Sequence, residues 1–201
     1  MQPPKKILVI PVKKQKKLAE KYSDIHKEIV EECKSGNTRA QYQLYNLYSK
    51  AMYNICCRMM NNSQEAEDML QEAFTECFLR LDTFRYESSF GAWLKRIVIN
   101  KCINELKRKK ADLVFSDEMH KWDSTQEDEF KNLDETRLSV HKIQQAIEKL
   151  PDGYRVVFSL YMLEGYDHAE ISDILGVSES TSKSQYMRAK NRIKQIILQM
   201  N

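Results

Sequence analysis

The chain has 201 residues, of which 30% are charged, and a formal net charge of +3 at pH 7. This length suits two small domains. The five cysteines are odd in number and include no C-x-x-C pair, so we expect neither a disulfide framework nor a metal site, and the reducing cytoplasm is the natural compartment.

Proline and turn signals indicate an all-α chain. No proline interrupts residues 12–150, and the one Asp-Gly pair, Asp152-Gly153, follows a helical pattern rather than a strand. We expect two small helical domains joined by an acidic linker. The predicted parts are a basic N-terminal tail over residues 1–22, a first domain over 23–110, a linker over 111–136 and a second domain over 137–201.

The first 22 residues carry seven lysines against one glutamate, which is typical of a solvated tail, with a DNA-tethering arm as the alternative. The apolar run at residues 7–10 is too short for a signal peptide or a membrane span. A helix is predicted from Ser23 or Asp24 to Gly36, and a longer one over residues 39–60. The tyrosine-rich stripe of the longer helix is typical of core whose hydroxyls reach the rim, so we assign it no site.

The next predicted helix, over residues 64–81, has one apolar and one acidic side. Its apolar residues recur at steps of three and four from Ala66 to Leu81, so they form a stripe that faces the core. The opposite side carries Glu65, Asp68, Gln71, Glu72, Thr75 and Leu79. Taken alone, such a side is ordinarily a solvated surface.

Residues 83–90 interrupt the helical pattern, and Ser88 or Ser89 caps the helix that follows. Between residues 85 and 110 there are eight lysines and arginines against two glutamates, so this surface attracts polyanions. Aromatic rings among cations suit single-stranded nucleic acid, because bases stack on the rings while phosphates pair with the cations. The alternative is that Phe84, Phe90 and Trp93 are plain core.

Two ordered motifs carry a family resemblance. E-A-E-D-x-x-Q-E-x-F at residues 65–74 and L-D-x-F-R-x-E-S-S-F-x-x-W-L-x-R-I-x-x-N at residues 81–100 resemble the second conserved region of bacterial RNA polymerase sigma factors of the extracytoplasmic-function group. The resemblance implies that Asp68, Gln71 and Glu72 dock on the clamp helices of the polymerase β′ subunit. It also implies that the turn and the following helix capture and melt the minus-ten promoter element. The residues that would face this DNA are Arg85, Tyr86, Glu87, Ser88, Ser89, Trp93, Arg96 and Asn100. Tyr86 stands where relatives often have glycine.

Residues 111–136 are rich in aspartate and glutamate and show little periodicity, so we expect a linker. An ordinary flexible connector is one interpretation. The sigma resemblance implies a second, in which the acidic linker threads the polymerase cleft in place of nucleic acid and leaves as RNA grows.

The second domain is predicted to end in a helix-turn-helix. Helices are expected over residues 138–150 and 152–164, and Asp167 and Glu170 form a capping box for a short helix over 169–175. Residues 176–178 make a tight turn, and Ser178 caps the last helix, over 179–199. This last helix would enter the major groove, where hydroxyls, amides and cations bond phosphates and base edges. The candidate DNA-binding residues are Thr181, Lys183, Ser184, Gln185 and Arg188.

L-P-x-x-x-R-x-V-F at residues 150–158 and E-G-Y-x-x-x-E-I-S-x-I-L-G-V-S-x-x-T-x-K-S at residues 164–184 resemble the fourth sigma region. The resemblance implies recognition of the minus-thirty-five element and contact with the polymerase β flap. Ser172, Ser182 and Gln185 replace the usual alanine, valine and arginine. We expect the Ser182 hydroxyl to loosen the packing of the recognition helix, and Gln185 to favour adenine.

The leading hypothesis is a sigma factor that binds core RNA polymerase and promoter DNA, needs no cofactor and has no catalytic activity of its own. An anti-sigma protein is a further partner that the resemblance implies. One alternative is a conventional helix-turn-helix regulator whose N-terminal domain senses or dimerises. Another is a metal nuclease built on Glu65, Glu67, Asp68 and Glu72, although no histidine lies near these carboxylates.

Overall fold

A computed structural model describes residues 26–109 and 140–200. The chain divides into two compact units, Met1–Lys109 and Lys110–Asn201. The described residues form helices and turns without strands, which confirms the all-α prediction. The predicted basic tail, the acidic linker and the predicted helix start at Ser23 or Asp24 lie outside the described residues. None of the helices in the described ranges combines the length and apolar character that crossing a membrane requires.

Asparagine caps define the helices of the first unit. Asn37 Oδ1 accepts from the backbone N–H groups of Arg39 and Ala40, and Asn62 caps the third helix in the same way. Asn61, just before that cap, takes a left-handed φ of 56°, which asparagine tolerates better than most residues. The elements are α1 (Lys27–Lys34), α2 (Thr38–Met60), α3 (Ser63–Leu79), a 3₁₀ turn (Leu81–Thr83) and α4 (Phe90–Lys109).

Helices α2, α3 and α4 pack against one another around the core of the first unit. The predicted apolar stripe of α3 is buried apart from Phe78, which is half-buried. Phe84 and Phe90 are also buried, so the core interpretation holds for both rings. At the start of α4, a Cβ added to Gly91 would lie 2.9 Å from Cε1 of Tyr48. Glycine at this position therefore allows α4 to approach α2 closely.

The second unit is built from four α-helices and one turn of π-helix among its described residues. The elements are α5 (Val140–Glu148), α6 (Asp152–Phe158), the π turn (Ser159–Leu163), α7 (His168–Leu175) and α8 (Glu179–Gln199). The predicted capping box is confirmed, since Asp167 and Glu170 exchange side-chain bonds with each other's backbone N–H groups. Gly176 then takes a left-handed φ of 73°, and Ser178 Oγ accepts from the N–H of Thr181. Helices α7 and α8 thus form the predicted helix-turn-helix.

One buried charge holds the start of the second unit together. Arg155 of α6 is 2% exposed and donates to the backbone carbonyl of Leu150, at 2.9 Å, and to the carboxylate of Asp152. Arg155 thereby provides a hydrogen-bond donor for the Leu150 carbonyl, just after the end of α5, where carbonyls lack a partner within the helix. It also balances the charge of Asp152 in the first turn of α6. One apolar core cluster of this unit comes mainly from α5 and α8: Ala146, Ile147, Leu150, Phe158, Ala189, Ile193, Ile196 and Ile197.

Candidate functional site

The outward side of α3 presents the three polar residues that the sequence singles out. Asp68, Gln71 and Glu72 are all exposed. Gln71 Nε2 donates to the hydroxyl of Tyr45 on α2, at 3.3 Å, and Glu72 lies 3.5 Å from the ammonium of Lys101 on α4. We call Asp68, Gln71 and Glu72 the α3 surface. Tyr45 therefore orients the amide of Gln71 and Lys101 pairs with Glu72, while all three side chains remain open to solvent.

An open groove of about 520 Å³ runs between α2 and α3 beside this surface. Asp68 and Gln71 contribute to its wall, whereas Glu72 does not. The complete lining is Tyr45, Ser49, Lys50, Tyr53, Glu67, Asp68, Leu70 and Gln71. Sequence reasoning assigned no site to the tyrosines of α2. The signal that could have found them is the spacing of Tyr45, Ser49 and Tyr53, which places hydroxyls on one side of the helix at steps of four.

Some of the cations of α4 are bonded to acids of the same unit. Lys101 lies 3.1 Å from Glu76, and its pKa is raised by the bond to that carboxylate. Lys109 pairs with Glu65 of α3, and Arg108 lies 2.7 Å from Glu105. The predicted polyanion-binding surface is therefore narrower than the count of lysines and arginines suggests. Lys110 lies outside the described residues.

The turn between the 3₁₀ helix and α4, residues 85–89, is here called the recognition turn. Arg85, Glu87 and Ser88 are exposed within it. Ser89 Oγ lies 3.3 Å from the N–H of Ala92, so Ser89 rather than Ser88 caps α4. Ser88 instead donates to the Ser89 carbonyl, at 3.4 Å. Three exposed polar side chains thus lie just before the capped start of α4.

Tyr86, in the middle of the recognition turn, is anchored on α1. Its backbone has a φ of 58°, and its hydroxyl donates to Glu31 Oε1 at 2.6 Å. The ammonium of Lys34 lies 4.9 Å from the ring centroid and donates to the carbonyl of Phe84. The hydroxyl of Tyr86, followed by Lys34, lowers the pKa of the Glu31 carboxyl. This contact could not be predicted from the sequence, because its partners lie 55 residues apart.

Trp93, Arg96 and Asn100 follow one another along one side of α4 at steps of three and four. Trp93 is half-buried, with its ring centroid 5.3 Å from that of Phe84 and 5.9 Å from that of Phe90. Arg96 is half-buried and Asn100 is exposed. Of the three rings that the sequence leaves between core and binding roles, Phe84 and Phe90 are core and Trp93 reaches the surface.

Four of the five predicted DNA-binding residues of α8 reach its surface. Lys183 is exposed and pairs with Glu179 at 2.7 Å, while Thr181, Ser184 and Arg188 are half-buried. Gln185 departs from the prediction. It is 2% exposed, and its side-chain oxygen has no hydrogen-bond partner among the described residues. A side chain buried in this way does not offer its amide to a base edge, so we withdraw the predicted adenine contact.

Ser182, which the sequence predicts to loosen the packing of the recognition helix, makes a hydrogen bond inside the helix-turn-helix. Ser182 is completely buried, and its Oγ lies 2.9 Å from Nδ1 of His168 on α7. The imidazole of His168 stacks on Tyr161, with ring centroids 4.4 Å apart. Burial, reinforced by the charge of Lys183, lowers the pKa of His168. The hydroxyl at position 182 therefore bonds the two helices of the helix-turn-helix to each other.

The acids of α3 and the buried thiols do not suit a metal centre. Among residues 26–109 and 140–200, no group of three histidine, cysteine or acidic side chains is arranged to hold an ion. Burial raises the pKa of Cys33 to about 11 and that of Cys77 to about 12, so both thiols are protonated at neutral pH and are poor ligands. Lysines on α4 already pair with Glu65 and Glu72, two of the carboxylates of the nuclease hypothesis.

Comparison with known proteins places one family match in each unit. The Sigma-70 region 2 family matches residues 44–111, and the Sigma-70, region 4 family matches residues 141–193. The chain is 31% identical, over 180 residues, to the ECF RNA polymerase sigma factor SigW of Bacillus subtilis, covering 84% of this chain and 94% of that protein. It is 30% identical, over 173 residues, to the ECF RNA polymerase sigma-E factor of Escherichia coli, covering 82% and 90%.

Two solved structures share the fold. One is the sigma factor RpoE from Bartonella quintana in complex with the anti-sigma factor NepR, with a TM-score of 0.52, 21% identity and coverage of 78% of this chain and 95% of that one. The other is CnrH in complex with the cytosolic domain of CnrY, with a TM-score of 0.50, 23% identity and coverage of 84% and 94%. At these identities the likeness concerns the fold alone.

Proposed function

This chain belongs to the extracytoplasmic-function group of the sigma-70 family of RNA polymerase sigma factors, and from that premise we propose that it binds core RNA polymerase and directs promoter-specific initiation of transcription. The observation that carries the proposal is the placement of the two family matches, one in each compact unit. The first unit has an acidic surface suited to a protein partner and a basic, ring-bearing one suited to DNA, and the second unit has a helix-turn-helix suited to DNA. The whole reaction is driven by binding energy, and we assign the chain no catalytic step.

The α3 surface is the proposed contact with the β′ clamp helices of the polymerase. Asp68, Gln71 and Glu72 offer two carboxylates and an amide that is already oriented by Tyr45. An acidic surface of this kind is complementary to a basic one on a partner, and complementary charge speeds and orients encounter. The groove between α2 and α3 adds the hydroxyls of Tyr45 and Tyr53 to the same contact.

The recognition turn and α4 are the proposed site of minus-ten capture and melting. Arg85 and Arg96 supply positive charge, and Glu87, Ser88, Ser89 and Asn100 supply hydrogen-bonding groups. Trp93 presents an aromatic ring at the surface on which an unstacked base can pack. Tyr86 belongs to this turn, but its hydroxyl and ring are occupied by α1.

The helix-turn-helix of the second unit is the proposed reader of the minus-thirty-five element, with the β flap as its contact on the polymerase. Thr181, Lys183, Ser184 and Arg188 lie on the recognition helix α8 within reach of solvent, and such side chains bond phosphates and base edges. Gln185 is left out because it is buried. We propose domain limits at residues 23–110 and 137–201, with the acidic segment between them as a linker.

Cellular context follows from the same proposal. A factor that acts on polymerase and chromosomal DNA works in the cytoplasm. Two proteins that share this fold were solved in complexes, one of them with an anti-sigma factor, so we include an anti-sigma protein among the proposed partners of this chain.

Binding to core polymerase is the decisive test. We expect wild-type protein to join core enzyme that carries no other initiation factor, and the pair to protect and open selected genomic fragments in a footprinting experiment. Asp68→Lys should weaken core binding by at least about tenfold, because it places a cation where an acidic surface meets its partner. Gln71→Ala should also weaken it. Glu28→Lys, the same kind of charge reversal at an exposed position of α1, is the matched control and should bind normally.

Two results would count against the proposal. If Asp68→Lys binds core enzyme as wild type does, the α3 surface is not the docking site. If the wild-type protein does not associate with core enzyme at all but still binds duplex DNA, the chain acts as a conventional regulator.

A further inference from the structure

The backbone of Tyr86 takes a conformation that its side chain disfavours. Its φ of 58° lies in the left-handed region, which only glycine, and to a lesser extent asparagine and aspartate, adopt easily. A residue held in such a conformation must be stabilised by its surroundings, and such residues cluster at functional sites. The recognition turn is therefore held in a shape that its own sequence would not favour.

Helix α1 supplies the stabilising contacts. Glu31 accepts a hydrogen bond of 2.6 Å from the hydroxyl of Tyr86. Lys34 lies over the same ring, pairs with Glu31 at 3.1 Å, and donates to the carbonyl of Phe84 at 3.2 Å. Lys27, two turns earlier, lies 5.6 Å from the ring centroid. These contacts connect α1 with the backbone of Phe84, which leads into the recognition turn, and with the side chain of Tyr86 within the turn.

We propose that Glu31, Lys34 and Tyr86, which we call the α1 latch, set the shape of the recognition turn and thereby its selectivity for bases of the minus-ten element. Glu31 and Tyr86 are positioning residues in this proposal and do not contact bases. The inference rests on the proposed function, since it assigns a further role within minus-ten capture. It also makes α1 part of promoter recognition, although α1 lies outside the matched region 2 segment of residues 44–111.

The physical link between shape and selectivity is the fraction of molecules whose turn is in the binding conformation. Arg85 and Glu87 flank Tyr86 and are exposed, so the direction in which Tyr86 is fixed determines where both of them lie. Without the latch, the turn would spend more time in more favourable backbone conformations. Apparent affinity for a base-specific site falls with the fraction of competent protein. Contacts between DNA phosphates and the cations of α4 depend less on the conformation of the recognition turn. Loss of the latch therefore lowers specific affinity more than non-specific affinity, and the ratio of the two falls.

The test uses holoenzyme assembled from core polymerase and full-length protein. The probe is duplex DNA with an unpaired segment of randomised sequence, from which the wild-type holoenzyme selects preferred segments. The measured quantity is the ratio of affinities for a preferred segment and its scrambled version. Tyr86→Phe removes only the hydroxyl, and Glu31→Ala removes its acceptor. Because the bond is exposed, we expect each change to lower the ratio by about threefold.

Matched controls separate positioning from general damage. Glu28→Ala makes the same chemical change on the same helix and should leave the ratio unchanged. Binding of each variant to core polymerase, and its unfolding temperature, should match the wild type. The double variant Tyr86→Phe with Glu31→Ala should lower the ratio no further than Glu31→Ala alone, because Glu31→Ala already removes the bond that Tyr86→Phe removes.

Tyr86→Gly tests whether the latch or the backbone conformation alone matters. Glycine adopts the left-handed conformation without strain but has no side chain for α1 to hold. We expect this variant to lose at least as much selectivity as Tyr86→Phe. Selectivity equal to the wild type in Tyr86→Phe and Glu31→Ala, or retained in Tyr86→Gly, overturns the inference and leaves the proposed function intact. If the wild-type holoenzyme selects no sequence at all, the proposed function fails together with this inference.

Discussion

The bond between Ser182 and His168 can be removed by a single change, Ser182→Ala. Ser182 lies on the recognition helix and His168 on the helix before it, so their bond connects the two halves of the helix-turn-helix. The serine is completely buried, so water cannot replace the lost hydroxyl at that position without a rearrangement. The variant therefore tests whether the polar residue at this core position stabilises the second unit or weakens it.

Two opposing contributions set the expected size of the effect. A buried polar group left without its partner costs about 1–3 kcal/mol. Alanine regains about 0.5 kcal/mol in a helix interior relative to serine. The half-buried imidazole keeps some access to water, so we take the lower part of the first range and expect a net loss of about 1 kcal/mol. For a unit of this size, that corresponds to a fall of about 4–8 °C in its unfolding temperature.

The assay is calorimetry of the full-length protein, together with hydrogen exchange of the backbone amides of α7 and α8. Ser184→Ala is the matched control, because the Ser184 hydroxyl donates to the carbonyl of Thr181 within its own helix, and the change should be neutral or slightly stabilising. If Ser182→Ala unfolds at the wild-type temperature or above, the bond to His168 does not stabilise the fold, and the loosening predicted from the sequence would be correct after all.

The same contact predicts how stability depends on pH. The pKa of His168 is lowered in the folded state, first by burial and then by the charge of Lys183. The unfolded chain therefore binds a proton more readily than the folded chain. The contribution of His168 to stability is fully present above the ordinary pKa of 6.5 and is lost as pH falls through 6.5 towards the lowered value. A His168→Gln variant should show a smaller fall in unfolding temperature between pH 7 and pH 5.

Two further predictions concern the first unit and the upstream contact. Gly91→Ala should destabilise the first unit by about 1–3 kcal/mol, because the new methyl group would lie 2.9 Å from the ring of Tyr48, and denaturant titration would measure it. An unchanged midpoint would mean that Tyr48 moves aside without cost. Arg188→Ala should weaken binding to duplex DNA and reduce the salt dependence of binding by about one unit of slope, as loss of one phosphate contact requires. An unchanged salt dependence would mean that Arg188 does not contact a phosphate of the DNA.

Local patterns predicted most of the helices because local physics determines them. The apolar stripe of α3 and the capping residues Asp167, Ser178 and Ser89 act within one or two turns of the chain. The errors on α8 have a specific cause. Ser182, Gln185, Ala189, Ile193 and Ile196 follow one another at steps of three and four and are all buried. Gln185 is polar, and a search for apolar periodicity treats polar residues as surface, so the sequence predicts Gln185 on the DNA-facing side although it belongs to the buried side of the helix.

The latch on the recognition turn could not be predicted from the sequence for a different reason. Tyr86 and Glu31 meet only because α1 packs beside the 3₁₀ turn, and nothing in the local sequence of either indicates the other. The sequence did single out Tyr86, as a tyrosine where relatives often have glycine. Its left-handed backbone conformation and the contacts that stabilise it are seen only in the tertiary structure.

The ion pairs between α3 and α4 explain how one acidic surface can be both ordered and available. Lys101 lies between two acids, 3.1 Å from Glu76 and 3.5 Å from Glu72. Glu72 is the more exposed of the two, so a partner that draws it away leaves Lys101 still paired with Glu76. If the polymerase binds Glu72, the partly buried ammonium of Lys101 therefore still has an acidic partner. An unpaired Lys101 would oppose binding. Replacing Glu76 with glutamine should consequently weaken polymerase binding, because Lys101 would then compete with the polymerase for Glu72.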